Sequence, residues 1–257
     1  MKKIVFPEGN NTFIQEATKQ LTNLCTPILL KDKDDDLITA AQMVASGQAD
    51  AIIAGIDHST RDVILAVRDH IGVLEGQKTF SSLFVVDFPD SRRIIMADGG
   101  VCKNPTAEQL ADIIILTHTA AAKIFKTEPK IAMLSFSTFG SGGKDPSIEK
   151  IAASIKIVKT KFPKILVEGE MQLDAAVNPR IAAKKLGGGK VAGNANVLIT
   201  PDLNSGNILY KSFEQFAHAH VAGPILLGFK KPASDLSRGS TLEDIILTAK
   251  SLLALID

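Results

Sequence analysis

Ser237, Arg238 and Asp244 carry the most chemical information in this chain. They lie in the segment Ser234-Asp235-Leu236-Ser237-Arg238-Gly239-Ser240-Thr241-Leu242-Glu243-Asp244. An apolar run, Pro224 to Phe229, precedes it, and an amphipathic stretch follows it. That order predicts a strand, a loop and a helix. Open α/β sheets bind ligands at such junctions, and helix N-termini attract anions. The guanidinium of Arg238 matches phosphate oxygens with a fork of donors. Asp244 could accept a proton, and Ser237 could donate a hydrogen bond. The combination points to transfer chemistry on a phosphorylated or phosphate-accepting substrate. The spacing also supports a plainer role, because Thr241 as N-cap puts Asp244 at the third helical position, where a carboxylate caps the helix.

Three other loops could hold a ligand. Thr138-Phe139-Gly140-Ser141-Gly142-Gly143-Lys144 follows an apolar run, and its Gly and Ser residues suggest free backbone N–H groups around an anion. It is not a P-loop, since Thr138 and Asp145 stand where that motif has Gly and Ser or Thr. His58-Ser59-Thr60 follows another apolar run and could bind phosphate or cap the next helix. Asp202-Leu203-Asn204-Ser205-Gly206-Asn207 is polar for a strand-end loop, with Tyr210 and Lys211 expected just beyond it. No metal site is expected, since His218 and His220 would point to different faces of a helix. Cys102 has no nearby histidine to activate it.

These residues need a scaffold. Of 257 residues, 45% are apolar and 22% charged, as in ordinary globular proteins. The net charge of +1 and the lack of Trp argue against nucleic acid as a partner. Two cysteines fit a reducing cytoplasm. Met1 to Pro7 has no long apolar run, so neither a signal peptide nor a membrane span is expected. Short apolar runs at 4–6, 27–30, 51–54, 130–136, 165–168, 196–200 and 224–229 alternate with helical periodicity. This predicts α/β architecture with mostly parallel strands. The runs 81–88 and 92–97, joined by Pro89-Asp90-Ser91, predict one antiparallel hairpin. Helices are expected over 60–70, 106–124, 147–158, 174–185, 203–219 and 242–255. The hairpin suggests two α/β domains around a cleft, a split one of 1–72 with 230–257 and a second of 73–229.

The motifs, taken in order, resemble phosphate acetyltransferases and the related phosphate butyryltransferases. Phe6-Pro7-Glu8-Gly9, Gly55 to Thr60, Ala97-Asp98, Asn104-Pro105-Thr106 and Ala132 to Thr138 match. So do Gly169 to Ala176, Val191-Ala192-Gly193, Pro201 to Asn207, Gly223-Pro224-Ile225 and Asp235 to Gly239. The resemblance implies reversible acyl transfer between coenzyme A and phosphate, with coenzyme A as a substrate and no permanently bound cofactor or metal. It implies a fold similar to isocitrate and isopropylmalate dehydrogenases, and a homodimer. It assigns Asp244 as the base for the thiol, Arg238 as the phosphate-binding and charge-offsetting group, and Ser237 as a hydrogen-bonding partner. Substrate contacts are expected from His58, Ser59, Thr60, Ser137, Thr138, Gly140, Ser141, Asn204, Asn207 and Tyr210. Two departures stand out. Leu65 occupies the place of a ligand-contacting arginine, and a segment with a second arginine is missing between Asp35 and Ala51. Arg61 and Arg68, expected on the face of Leu65, are candidate replacements. The departures also admit a non-catalytic or regulatory homologue that keeps the fold and an anion site.

Overall fold

The computed structural model describes residues 1–31 and 36–256. By its internal packing the chain divides into two compact units, Met1–Val85 with Ala219–Asp257, and Val86–His218. Elements are numbered in chain order. The first unit holds strands β1 (Lys3–Phe6), β2 (Thr26–Leu29), β3 (Ala51–Ala54), β9 (His220–Leu227) and β10 (Ala233–Asp235), and most of β4 (Ser81–Asp87). Their order is β2-β1-β3-β10-β9-β4. β1 pairs in parallel with β2 and β3, and β3 in parallel with β10, whereas β10 and β9 are antiparallel. Ile4, Val5, Phe6 and all of β3 are fully buried. Such unbroken apolar strands belong in a sheet covered on both faces.

The covering helices are α1 (Thr12–Leu21), α2 (Asp36–Ala45), α3 (Thr60–Ala66) and α9 (Leu242–Leu255). α1 buries Ile14, Ala17, Thr18 and Leu21, one face of a helical turn pattern, and packs against α9. α2 packs against α3 and the π-helical turn Val67–Ile71 that continues it.

The second unit holds β5 (Arg93–Ala97), β6 (Lys130–Leu134), β7 (Leu166–Met171) and β8 (Val197–Ile199) in the order β5-β8-β6-β7, all parallel. Its helices are α4 (Ala107–Phe125), α5 (Pro146–Lys161), α6 (Leu173–Val177), α7 (Pro179–Leu186) and α8 (Leu203–Ala217). The antiparallel hairpin is present: the Phe88 amide donates to the Arg92 carbonyl at 2.9 Å, and Arg93 pairs with Asp87 at 2.5 Å. The mostly parallel α/β architecture therefore follows the sequence pattern.

Several details differ from the sequence expectation. The units meet at 85/86 and 218/219, not near 73 and 230. The cause is local pairing: Leu74 N–H donates to Gly228, Lys230 N–H donates to Gly72, and Phe80 stacks on Phe229 at 4.9 Å. These bonds tie both segments into the first unit. β10 was not foreseen as a strand. The expected helix 174–185 is two helices, because Asn178 caps α7 with Pro179 at its first turn and ends α6. His218 and His220 share no helix: His218 is a left-handed C-cap and His220 begins β9. Asp35 lies outside the described residues. Among the described residues no helix is long and apolar enough to cross a membrane.

Candidate functional site

β1, β3 and β10 are neighbouring parallel strands that end at the same sheet edge, with Val5 beside Ile52 and Ala54 beside Asp235. The loops leaving them carry Glu8, His58 and Ser237-Arg238, and the first two are in direct contact. Glu8 is buried, and its carboxylate gathers the next loop. Oε1 accepts from the amides of Gly55 (3.0 Å), Asp57 (2.9 Å) and His58 (3.0 Å), and Oε2 from Ile56 (3.3 Å). His58 Nδ1 lies 2.7 Å from Oε1. Burial alone would raise the Glu8 carboxyl, but the His58 ring and the loop amides outweigh it and hold Glu8 below the usual range. The same bond to Glu8 holds the His58 imidazole above its ordinary value against the opposing effect of burial.

Ser59 caps α3: its Oγ accepts from Asp62 N–H at 3.2 Å and lies 2.6 Å from an Asp62 carboxylate oxygen. Asp235 is 2% exposed, and its Oδ1 has no hydrogen-bond partner. Burial pushes it up to about 6; the Thr60 hydroxyl beside it works against that rise and the Glu8 charge adds to it. Gly55 sits against this carboxyl with φ +109°, and a side chain there would collide with Asp235 and the Leu236 backbone. Ser237 Oγ accepts weakly from Gly239 N–H at 3.3 Å, so its proton is free to donate. Arg238 is exposed and makes no ion pair or hydrogen bond among the described residues. It is a free guanidinium beside a free hydroxyl.

Asp244 combines two roles. The capping box expected at Thr241 is present. Oδ2 accepts from Thr241 N–H (2.8 Å) and Thr241 Oγ1 (2.7 Å), and Oδ1 accepts from the buried amide of Val221 (3.0 Å). A carboxylate offers about four lone-pair sites, so one remains beyond these three bonds, with His220 Nδ1 3.8 Å from Oδ1. Asp244 therefore ties α9 to β9 and keeps an acceptor position.

A cavity of ≈370 Å³ is lined by Leu65 with Asp36, His58, Asp62, Asp69 and His70, among others, but by neither Arg61 nor Arg68. The helix turns from α to π at Val67, which changes the register and brings Asp69 and His70 to that face. Arg68 is held by Asp69 at 2.7 Å on the surface.

In the second unit the expected anion cradle is closed. The amides of Thr138, Gly140 and Gly142 donate to Ser141 Oγ, Glu170 Oε1 and Ser137 Oγ. Those of Phe139, Ser141 and Gly143 donate to the carbonyls of Glu170, Thr138 and Gly140. The buried Glu170 carboxylate thus takes one loop amide, that of Gly140, and the hydroxyl of fully buried Ser137 donates to it at 2.9 Å. Asp202 is the N-cap of α8, with Asn204 exposed in the first turn. Asn207 donates to Gly99 O at 3.4 Å. Tyr210 is 6% exposed, so it packs into the core rather than opening onto the loop. Asp98 likewise fills its own loop, accepting from the amides of Gly100, Val101 and Cys102. Burial first and then Asp98 push the Cys102 thiol up, which suits no nucleophile.

Sequence reasoning missed Glu8, Glu170 and Asp235 as site-forming groups. Glu8 does sit in the Phe6-Pro7-Glu8-Gly9 motif, at the end of a strand, which was a usable signal. Among the described residues no cluster of three or more His, Cys, Asp or Glu is arranged to hold a metal ion.

The strand-end loops, the exposed guanidinium of Arg238 and the anchored carboxylate of Asp244 belong to an α/β protein of mostly parallel strands. The family model described as Phosphate acetyl/butaryl transferase matches residues 31–252. The chain belongs to that family. It is 42% identical over 217 residues to the phosphate acetyltransferase of Clostridium acetobutylicum, covering 82% of this chain and 65% of that protein. The corresponding protein of Treponema pallidum is 41% identical over 223 residues, covering 84% and 66%. The chain thus spans just under two thirds of these relatives. A phosphotransacetylase crystal structure from Streptococcus pyogenes superposes with TM-score 0.87 at 34% identity, covering 99% of this chain and 94% of that one.

Proposed function

We propose that this protein transfers an acetyl or other short acyl group reversibly between coenzyme A and inorganic phosphate. The observation that carries this reading is the Ser237-Arg238 pair, whose guanidinium has no side-chain partner among the described residues and whose hydroxyl proton is free to donate, in the unit that also anchors Asp244. In the direction of acyl-CoA formation, Asp244 takes the thiol proton and the thiolate attacks the acyl phosphate carbonyl. The C–S bond forms as the C–O bond to phosphate breaks, and phosphate leaves with that bonding pair. Arg238 binds the phosphoryl oxygens and offsets the developing charge, and Ser237 donates to the oxyanion. Coenzyme A is a substrate in this scheme, and no permanently bound cofactor takes part. We place the reaction in the cytoplasm and in a homodimer, by analogy with the family. The intact Ser237, Arg238 and Asp244 argue against a purely regulatory homologue.

The test is kinetic. Arg238→Ala is expected to lower kcat/KM by about 10²–10³-fold, the usual cost of a transition-state donor. Retained activity in that variant would show that the assignment is wrong.

A further inference from the structure

We propose that Glu8 is the positioning residue of a phosphate-oxyanion site whose contacting group is the Nε2–H of a cationic His58. This deepens the acyl-transfer reading and rests on it for the ligand's identity.

The location comes first. In the order β2-β1-β3-β10, the chain leaves β1 toward β2 and leaves β3 toward the opposite side. α1, after β1, packs on α9, while α3, after β3, packs on α2. The carboxyl ends of β1 and β3 therefore flank a topological switch point, where open α/β sheets bind ligands. Glu8 follows β1 and His58 follows β3.

The donors come next. Loops of this kind usually offer backbone amides to an anion. Here Glu8 already occupies the amides of residues 55 to 58. Ser59 is engaged with Asp62, and the Thr60 hydroxyl faces Asp235. His58 Nδ1 is fixed on Glu8 at 2.7 Å, which leaves Nε2 with no partner among the described residues. His58 is one-third exposed and lines the ≈370 Å³ cavity. A carboxylate buried to 6% exposure and bonded to Nδ1 favours the doubly protonated ring, the form that presents an Nε2–H to the cavity. The next parallel strand, β10, presents Ser237-Arg238 at the same edge.

Other charges face the ring. Asp57 and Asp62 add to the attraction for its proton, and Asp36, Asp69 and His70 share its cavity. Asp69 is paired with Arg68, and Asp62 is bound to Ser59. Three carboxylates against two imidazoles oppose a nucleotide polyanion and confine any oxyanion to the His58 end of the cavity. The ligand chemistry is a phosphate oxyanion; inorganic or acyl phosphate is the favoured source over the phosphates of coenzyme A.

The experiment is a titration of the His58 ring by NMR in the intact protein, alone, with inorganic phosphate, and with coenzyme A. The His58 midpoint is expected above that of an ordinary histidine and to rise further, saturably, with phosphate. A saturable rise with coenzyme A alone would support the oxyanion site and name the nucleotide as its source. A ring indifferent to both would overturn the proposal. Glu8→Gln keeps an acceptor for the amides but removes the charge, so its midpoint should fall by about one pH unit or more. An unchanged midpoint in that variant would also overturn it. If Glu8→Gln does not fold, His58→Gln serves: the phosphate KM should rise about tenfold at pH 7 with kcat within a few-fold, and an unchanged KM for both substrates would refute contact. The titration needs no turnover. A silent enzyme with a phosphate-linked His58 shift would sink the acyl-transfer reading and leave this site standing.

Discussion

Asp244 and Thr241 share one capping box, and substitutions at the two positions should separate its structural role from its chemical one. Thr241→Ala removes a 2.7 Å donor to Asp244 Oδ2 and the acceptor of the Asp244 amide. Loss of a threonine cap costs about 1 kcal/mol. In a chain of this size that lowers Tm by roughly 2–4 °C. Asp244→Ala removes more. It orphans the Thr241 amide and the buried Val221 amide, which Asp244 now accepts at 2.8 and 3.0 Å. An unsatisfied buried donor costs about 1–3 kcal/mol. Adding the cap gives a total of roughly 2–4 kcal/mol, or about 5–15 °C in Tm. Thermal unfolding followed by circular dichroism measures the first quantity, and release of coenzyme A below both transitions measures the second. Thr241→Ala is expected to keep its rate within about threefold, while Asp244→Ala loses about 10²–10⁴-fold, the range for a general base. Equal rate losses in both variants would mean that the box, not proton transfer, sets the rate. A fully active Asp244→Ala would refute the base outright.

Other outcomes follow from single contacts. Asp235→Asn should stabilise the protein above pH 6 and not at pH 4. The folded carboxyl sits at about 6, against about 3.9 unfolded. The native state therefore binds the extra proton, and stability falls by about 2–3 kcal/mol as pH rises through that window; urea unfolding at both pH values checks it, and a gain at pH 4 would contradict it. Gly206→Ala should destabilise by about 1–3 kcal/mol, because its new Cβ collides with the Asp98 carbonyl beneath α8; an unchanged urea midpoint would contradict the close approach. Arg61→Ala and Arg68→Ala should each leave both substrate KM values within about twofold, since neither side chain lines the Leu65 cavity; a tenfold rise in either would restore the compensating role.

The parts legible in the sequence are those written locally. Both capping boxes, at Thr106 and Thr241, appear where residue spacing places them. The hairpin and the parallel strands follow from run length and turn residues. The missed features depend on partners distant in sequence. β10 is three residues long, too short for any periodicity, and exists because β3 and β9 pair with it. Glu8 reaches loop amides 47 to 50 residues away, and Glu170 a serine 33 residues away. A glycine-rich loop therefore reads as an open anion cradle, although its own serines and carbonyls and the distant Glu170 take its amides. The π turn at Val67 was illegible for a different reason, since helical spacing assumes an α-helix.

The most direct test of the central claim is phosphate-dependent release of coenzyme A from acetyl-CoA by the purified chain, followed with a thiol reagent. Release that saturates with phosphate and stoichiometric formation of acetyl phosphate are expected. Release without phosphate, or no release at saturating phosphate, would contradict it.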